Sequence, residues 1–314
     1  MKKLLLLLLA LLLTGCAAHP LSESVTPLAT DITPPQPDAP ESLATQSTAT
    51  LWFRYLDEPL LACETRALTL SPDQPMEMTL IGALLDGPDA QSTDLTALFP
   101  AGTRVLSTVR QGRTLFVTLS RQIMDGYPDE PLNWRSNPVW AVEMPLRRRL
   151  CMQSLIATVT ENCDVDTVQV LLEQQGAATD SLRLRQRYYL DTDDEQRLAD
   201  PLVRDDALLL SPGTAMSTAL TLWQQQDWPR LARYVTDADA DALAARLGGL
   251  PPLVDYDFTG PAITGQTATF TLTATVRGDA GPITLSGRIL RLTRERERWR
   301  VTMDQLAGWL EGTP

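Results

Sequence analysis

The sequence predicts an α+β fold made of two successive modules. Over residues 51–175, segments with period-two alternation and segments with helical spacing follow one another in the order ββαββαβ. Over residues 208–314, segments with helical spacing come first and alternating segments follow. We therefore expect a small sandwich of a sheet and two helices, and then a module of helices followed by an antiparallel sheet.

The centre of the first module is a predicted helix, a turn and a β-hairpin. Apolar residues recur at helical spacing over residues 78–85, and Gly87-Pro88 ends the helix. Residues 104–110 and 113–119 alternate as two strands. Gln111-Gly112 lies where a tight two-residue turn would join them, because glycine readily adopts the positive φ that such a turn needs.

Several short segments of the first module form a recognisable combination. They are Leu51-Trp52-Phe53-Arg54-Tyr55 with Glu64-Thr65-Arg66, Ala83-Leu84-Leu85-Asp86-Gly87-Pro88, Leu98-Phe99-Pro100-Ala101-Gly102-Thr103, Leu119-Ser120 and residues 153–161. Together they resemble the GerMN domain of sporulation and spore-germination lipoproteins. The resemblance implies a role in sporulation or germination of an endospore-forming bacterium, through assembly with other envelope or sporulation proteins. Residues 124–143 depart from it, as a longer and more polar connection.

Residues 1–16 are predicted to be a lipoprotein signal peptide. Lys2-Lys3 precede an apolar run over residues 4–13, which is too short to span a bilayer as a helix. The run ends in Leu13-Thr14-Gly15-Cys16, which matches a bacterial lipobox. An ordinary secretory signal with an incidental cysteine is the alternative. We favour the lipobox. Cys16 then carries acyl chains such as palmitate, and these anchor the protein to the cell membrane on its extracytoplasmic side.

Residues 17–50 are predicted to be a disordered tether. They are rich in Pro, Ser and Thr and contain no aromatic residue, so they cannot bury a core. His19, the single histidine of the chain, lies here, and we expect no role for it.

The chain is strongly acidic, with a formal net charge of −12 at pH 7. Both of its lysines, Lys2 and Lys3, belong to the signal peptide, so cleavage would make the chain more acidic still. An acidic exported chain argues against nucleic-acid binding and against broad contact with anionic membranes.

The second module follows residues 176–207, which we interpret as a hairpin or linker between the two modules. Ser211-Pro212 is predicted to cap one helix, and Asp227-Trp228-Pro229 to start another. From residue 270 onward, apolar residues alternate with threonines and predict an antiparallel meander. This order of elements resembles the NTF2-like or cystatin-like fold.

Three consecutive arginines are a candidate contact site. Arg147, Arg148 and Arg149 lie in the first turn of a helix predicted over residues 145–161, where the helix dipole disfavours cations. They form either a solvated rim, which we favour, or a contact for a carboxylate-bearing partner.

Three aromatic residues of the second module are a candidate pocket. Trp223, Trp228 and Tyr234 would either line a ligand pocket or pack in the core. We favour the core.

The sequence offers no credible catalytic residue, metal site or cofactor site. Without a histidine or lysine in the predicted modules, serine and cysteine lack a usual base. Among Cys63, Cys151 and Cys163, only Cys63 and Cys163 could pair, and buried free thiols are the default. Residues 191–195 resemble a calcium loop, but Gln196 stands where such loops need glycine.

The function predicted from these observations is that of a non-enzymatic, membrane-anchored lipoprotein. It would act in sporulation or germination by protein–protein assembly outside the membrane. The alternative is a sensor of a ligand or of cell-envelope glycan that uses the C-terminal module.

Overall fold

Three sheets and six α-helices make up the part of the chain that this computed structural model describes, namely residues 45–174, 181–190, 194 and 196–310. The predicted signal peptide, with its lipobox at Cys16, and residues 17–44 of the predicted tether lie outside these residues. The strands are β1 (Thr45–Tyr55), β2 (Leu61–Leu70), β3 (Leu95–Thr96), β4 (Val105–Gln111), β5 (Thr114–Leu119), β6 (Thr167–Glu173), β7 (Ser181–Arg183), β8 (Leu202–Val203), β9 (Leu253–Thr264), β10 (Thr267–Gly278), β11 (Gly281–Glu295) and β12 (Arg298–Arg300). The helices are α1 (Met76–Leu85), α2 (Pro138–Asn162), α3 (Pro212–Gln224), α4 (Trp228–Leu231), α5 (Ala240–Leu247) and α6 (Met303–Gly308).

The first sheet has the strand order β2-β1-β3 and begins earlier than predicted. β1 pairs with β2 from Thr45↔Leu70 to Arg54↔Leu61, so residues 45–50 are strand and the prediction of a disordered tether is wrong there. These residues include three threonines, which suit a strand. The backbone of β2 pairs with these residues. The composition of residues 45–50 alone does not reveal that such a partner exists.

The second sheet has the order β4-β5-β6-β7, and β8 also pairs with β6. The predicted hairpin of β4 and β5 is present, and β5 and β6 are parallel because α2 connects them as a crossover. Together with the first sheet, this gives the predicted order ββαββαβ, with the two-residue β3 added after α1.

Strands β7 and β8 extend the second sheet, although we predicted that residues 176–207 form a hairpin or linker between the modules. β7 pairs with β6 at Leu171↔Arg183, and β8 pairs with β6 at Val168↔Leu202. Both short strands therefore pair with β6 rather than with each other. Of the calcium-like segment 191–195, only residue 194 is among the described residues.

Helix α2 begins at Pro138, seven residues before the predicted start at Pro145. The Asn137 side chain caps it by accepting hydrogen bonds from the backbone N–H groups of Val139 and Trp140. Pro145 was interpreted as a first-turn proline, but it lies inside the helix. Arg147, Arg148 and Arg149 therefore lie in the middle of α2, and the predicted conflict with the helix dipole does not exist.

Helix α2 hydrogen-bonds to the edge of β1 that does not face β2. The Trp52 N–H donates to Thr158 Oγ1 at 3.0 Å, and the Trp52 carbonyl accepts from Ser154 Oγ at 2.6 Å. One turn further along the helix, the Asn162 side chain bonds both backbone groups of Thr50, at 2.9 and 2.7 Å. Polar side chains of a helix thus replace a neighbouring strand along this part of the edge.

The C-terminal half has the predicted order of helices followed by an antiparallel sheet. Helices α3, α4 and α5 precede a sheet of order β12-β11-β10-β9, and α6 follows it. Ser211 and Thr214 form a capping box at the start of α3. Alternate residues of β10 are buried, among them Phe270 and Leu272. The resemblance to the NTF2-like fold stays a prediction.

The contact between α2 and β1 predicts a specific loss of stability. Replacing Thr158 with valine keeps the shape of the side chain but leaves the Trp52 N–H without this acceptor in the core. We expect the free energy of unfolding, measured by urea denaturation, to fall by about 1–3 kcal/mol. Thr160→Val is the matched control, because the Thr160 hydroxyl donates to the Ile156 carbonyl of its own helix. Its effect should stay within about 0.5 kcal/mol. Equal losses in both variants would contradict this role of Thr158.

Candidate functional site: a cleft between the two halves

A buried carboxylate joins the N-terminal half, residues 45–210, to the C-terminal half, residues 211–310. Glu58, in the turn between β1 and β2, is 1% exposed. Arg230 of α4 binds it through two hydrogen bonds, of 3.0 Å from Nε and 2.6 Å from Nη2. Arg233, just beyond α4, donates a further bond of 2.6 Å. Two arginines therefore compensate one buried negative charge at the contact between the halves.

A second buried ion pair lies at the other side of the same contact. Arg298 of β12 is 3% exposed and binds Asp94 through Nε at 2.8 Å and Nη2 at 3.2 Å. Its Nη1 also donates to the Cys63 carbonyl at 2.6 Å. β12 is consequently fixed to the first sheet by both a side chain and a backbone group. The described residues of both halves belong to one compact unit.

The three aromatic residues that were candidates for a pocket lie in the core or against it. Trp223 and Tyr234 are buried, and Trp228 is partly buried and packs against the core. The Trp223 ring meets Trp309 edge-on at 5.6 Å, and the Tyr234 ring meets Tyr55 at 5.9 Å. These contacts favour core packing, and the cavity described next lies elsewhere.

A cleft of about 590 Å³ opens beside Arg298, between the two halves. Its volume is within the usual range of small-molecule sites. Three separate stretches of the chain contribute to it: the start of β2, the loop before β3, and the β11–β12 turn with β12. Its lining residues are Cys63, Glu64, Gln91, Ser92, Thr93, Asp94, Glu295, Arg296, Arg298 and Arg300. Nothing in the sequence pattern indicated this site, because these stretches are far apart in the chain.

Three of the six charged residues that line the cleft, Glu64, Asp94 and Arg298, have ion-pair partners among the described residues. Glu64 forms an ion pair with Arg66 and accepts from the Asp89 N–H, at 3.1 and 3.2 Å. Asp94 pairs with Arg298, as described above. Arg300 differs, because its Nε is buried and has no hydrogen-bond partner among the described residues.

The cleft contains one thiol, Cys63. Burial raises the pKa of Cys63 above its ordinary value, and the nearby Glu297 raises it further. Because the thiolate is the reactive form, a raised pKa makes this cysteine a poor nucleophile at neutral pH. Cys63, Cys151 and Cys163 are all free, as we favoured, and the Cys63–Cys163 pair that the sequence left open is not formed. No group of metal-ligating side chains occurs within the described ranges. That the protein needs neither metal nor cofactor stays a prediction.

The three candidate contact arginines, for which we favoured a solvated rim, all have carboxylates of the same chain nearby, and the side chains of Arg147 and Arg148 are largely buried. Arg147 donates two bonds to Asp129, of 2.8 and 3.0 Å. Arg149 Nη2 lies 2.9 Å from an Asp205 oxygen. For Arg148, the nearest Glu130 oxygen is 4.0 Å from Nη2. Arg147 and Arg148 therefore hold the 125–137 connection against α2. Contact of the three arginines with a separate partner stays a prediction.

The end of this connection and the start of α2 form an exposed apolar tip, which we define as Leu132, Val139 and Val142. Leu132 is fully exposed, while Val139 and Val142 are 72% and 71% exposed and share one face of α2. The Trp134 ring lies nearby, with the Arg135 guanidinium 4.4 Å from its centre. No helix in the described part of the chain is long and apolar enough to cross a bilayer.

The buried ion pair between the halves predicts a large loss of stability. Glu58→Gln removes the charge that Arg230 and Arg233 share, so we expect the free energy of unfolding to fall by about 3–5 kcal/mol. Asp57→Asn is the matched control: Asp57 also pairs with Arg233, but its side chain is exposed. Its effect should stay below about 1 kcal/mol. Denaturant unfolding of both variants measures this difference. Comparable losses of free energy of unfolding would show that the burial of Glu58 adds nothing to the stability that its ion pairs provide.

Comparison with known proteins places a family domain in the N-terminal half. Residues 62–177 match the model of the Germane family, described as "Sporulation and spore germination". No curated protein matches the chain.

Two solved structures are similar over about half of this chain. One contains the tandem GerMN domains of the sporulation protein GerM from Bacillus subtilis, with 14% identity and a TM-score of 0.33. The match covers 51% of this chain but 46% of that one. The other is a candidate lipoprotein from Clostridium perfringens, with 19% identity, a TM-score of 0.28, and 51% and 89% of the two chains covered. Residues 62–177 are therefore similar to the Germane family.

Proposed function

We propose that the protein is a non-enzymatic, membrane-anchored lipoprotein that acts in sporulation or spore germination. It does so by assembling with other envelope or sporulation proteins on the outer side of the membrane. The observation that carries this proposal is the Germane match at residues 62–177, because its family is described by those two processes. Anchoring, assembly and the absence of catalysis each rest on a further argument.

Membrane anchoring rests on the lipobox that ends at Cys16. Two or more acyl chains on one cysteine provide a stable anchor, which a single chain does not. The acidic charge of the chain offers no substitute, because an acidic surface is repelled by anionic lipids.

Metabolic labelling with palmitate tests the anchor. We expect the label in the wild-type protein and in Cys63→Ala, but not in Cys16→Ala, because only Cys16 occupies the lipobox. Cys16→Ala should also leave the membrane fraction. A wild-type protein free of label, or a labelled Cys16→Ala variant, would contradict lipid attachment at Cys16.

Assembly with a protein partner is supported by the apolar tip. Three exposed aliphatic side chains beside a tryptophan are the kind of surface that soluble proteins usually reserve for a partner. The tip lies where the 124–143 segment, which is longer than the resemblance to GerMN domains led us to expect, enters helix α2. We assign it to a protein partner rather than to lipid, because the net charge of −12 of the chain disfavours contact with an anionic bilayer.

The absence of catalysis is supported by the state of the groups in the cleft. Glu64 and Asp94 are held by arginines, and the raised pKa of Cys63 keeps its thiol protonated. A general base and an activated nucleophile are therefore not brought together there.

Capture from sporulating cells tests the assembly. We expect full-length tagged protein to recover identified envelope or sporulation proteins, and Leu132→Ser/Val139→Ser/Val142→Ser to lose them. Val109→Ser is the matched control, because Val109 is an exposed valine of β4 in the same half. Recovery of no such protein, or equal recovery by the triple variant, would contradict the proposal. Loss of binding to lipid vesicles with unchanged protein recovery would assign the tip to the membrane instead.

Ligand binding is a second candidate function, and the cleft between the halves favours it. The C-terminal half contributes four of the lining residues, including Arg298 and Arg300. A ligand there would bridge the Germane domain and the sheet of the C-terminal half.

A further inference from the structure

We propose that the cleft binds a hydroxylated monocarboxylate of about the size of a sugar acid, with Arg300 and Arg296 receiving its carboxylate. The proposal is independent of the assembly function. It rests on the chemistry of Arg300, on the backbone at Arg296, and on the balance of charge in the cleft.

Arg300 is a guanidinium without a carboxylate partner. No carboxylate oxygen lies within 4 Å of it in the described ranges, and its buried Nε has no acceptor. Arg300 also acts on the Tyr55 hydroxyl, whose pKa is raised by burial and lowered, to a smaller extent, by Arg300. Tyr55 therefore stays neutral and cannot compensate the charge. The buried Nε is left without an acceptor, and an anion bound from the cleft would provide one.

Arg296 is held at the edge of the cleft by an unusual turn. Arg296 and Glu297 join β11 to β12 as a two-residue loop with φ of +45° and +65°. Such turns favour Gly and Asn, and other residues cost free energy there. Glu297 is engaged by Arg294 in an ion pair, but Arg296 has no ion-pair partner among the described residues. A role in ligand binding accounts for a long cationic side chain at a position where glycine would be more stable.

The balance of charge indicates a monoanion. Around the cleft, Arg298 is neutralised by Asp94, and Glu64 by Arg66. The lining charges left over are those of Arg296, Arg300 and Glu295. Two positive charges and one negative charge leave one positive charge, which suits a carboxylate better than a dianionic phosphate. The planar guanidinium also matches a carboxylate with two parallel hydrogen bonds.

The remaining lining residues suit hydroxyl groups. Gln91, Ser92 and Thr93 provide amide and hydroxyl side chains opposite β12.

Calorimetric titration of the full-length protein with three matched compounds tests the ligand class. Glucose, glucuronate and glucose 6-phosphate share one ring and differ in the group at carbon 6. We expect binding of glucuronate, at least about tenfold weaker binding of glucose 6-phosphate, and no measurable binding of glucose. Glucose binding as well as glucuronate, or no binding of glucuronate, would overturn the proposal. Preference for the phosphate would overturn the carboxylate assignment.

Variants then test the two arginines. Arg300→Gln should weaken glucuronate binding by about tenfold or more without lowering the melting temperature of the unliganded protein, because no carboxylate pairs with the lost charge. Arg296→Gly should weaken binding and raise the melting temperature, because it relieves the positive φ. The matched control Arg291→Gln, on an exposed position of β11, should change neither. If Arg300→Gln proves unstable, the effect of Arg296→Gly on glucuronate binding still tests the site. Unchanged binding in Arg296→Gly, or in a folded Arg300→Gln, would contradict the site.

Discussion

The structure depends above all on how the two edges of β1 are occupied. One edge pairs with β2 along its length, and the other is shared between the polar side chains of α2 and the short strand β3. The turn that follows β1 carries Glu58, whose buried charge requires Arg230 and Arg233 from the other half. One strand therefore orients the long helix, the first sheet and the C-terminal half together.

The charged contacts between the halves fix which residues of the two halves meet. Separating the halves would break the hydrogen bonds that Glu58 and Arg298 make across the contact. The halves thus behave differently from modules on a flexible linker, for which weak and polar contacts are usual. The cleft lies along this contact, so its shape is fixed by the same ion pairs.

Sequence patterns predicted the elements whose signals are local. The helix at α1 and the hairpin of β4 and β5 follow from apolar spacing and a glycine turn, so neither depends on distant residues. The start of α2 was missed because a proline inside a helix has the same local appearance as one in the first turn. β7 and β8, with three and two residues, are too short to show alternation, and their partner β6 is distant in sequence. The cleft was missed for the same reason, since the partners that neutralise its charges come from distant segments.

The position of β1 as the first described strand has a mechanical consequence. Any pull transmitted through the preceding residues enters the fold at Thr45, at the far end of a long antiparallel pair from Leu61. Tension directed along the axis of β1 and resisted by the rest of the fold would load its backbone bonds to β2 in shear. The bonds from α2 to Thr50 and Trp52 would share the load.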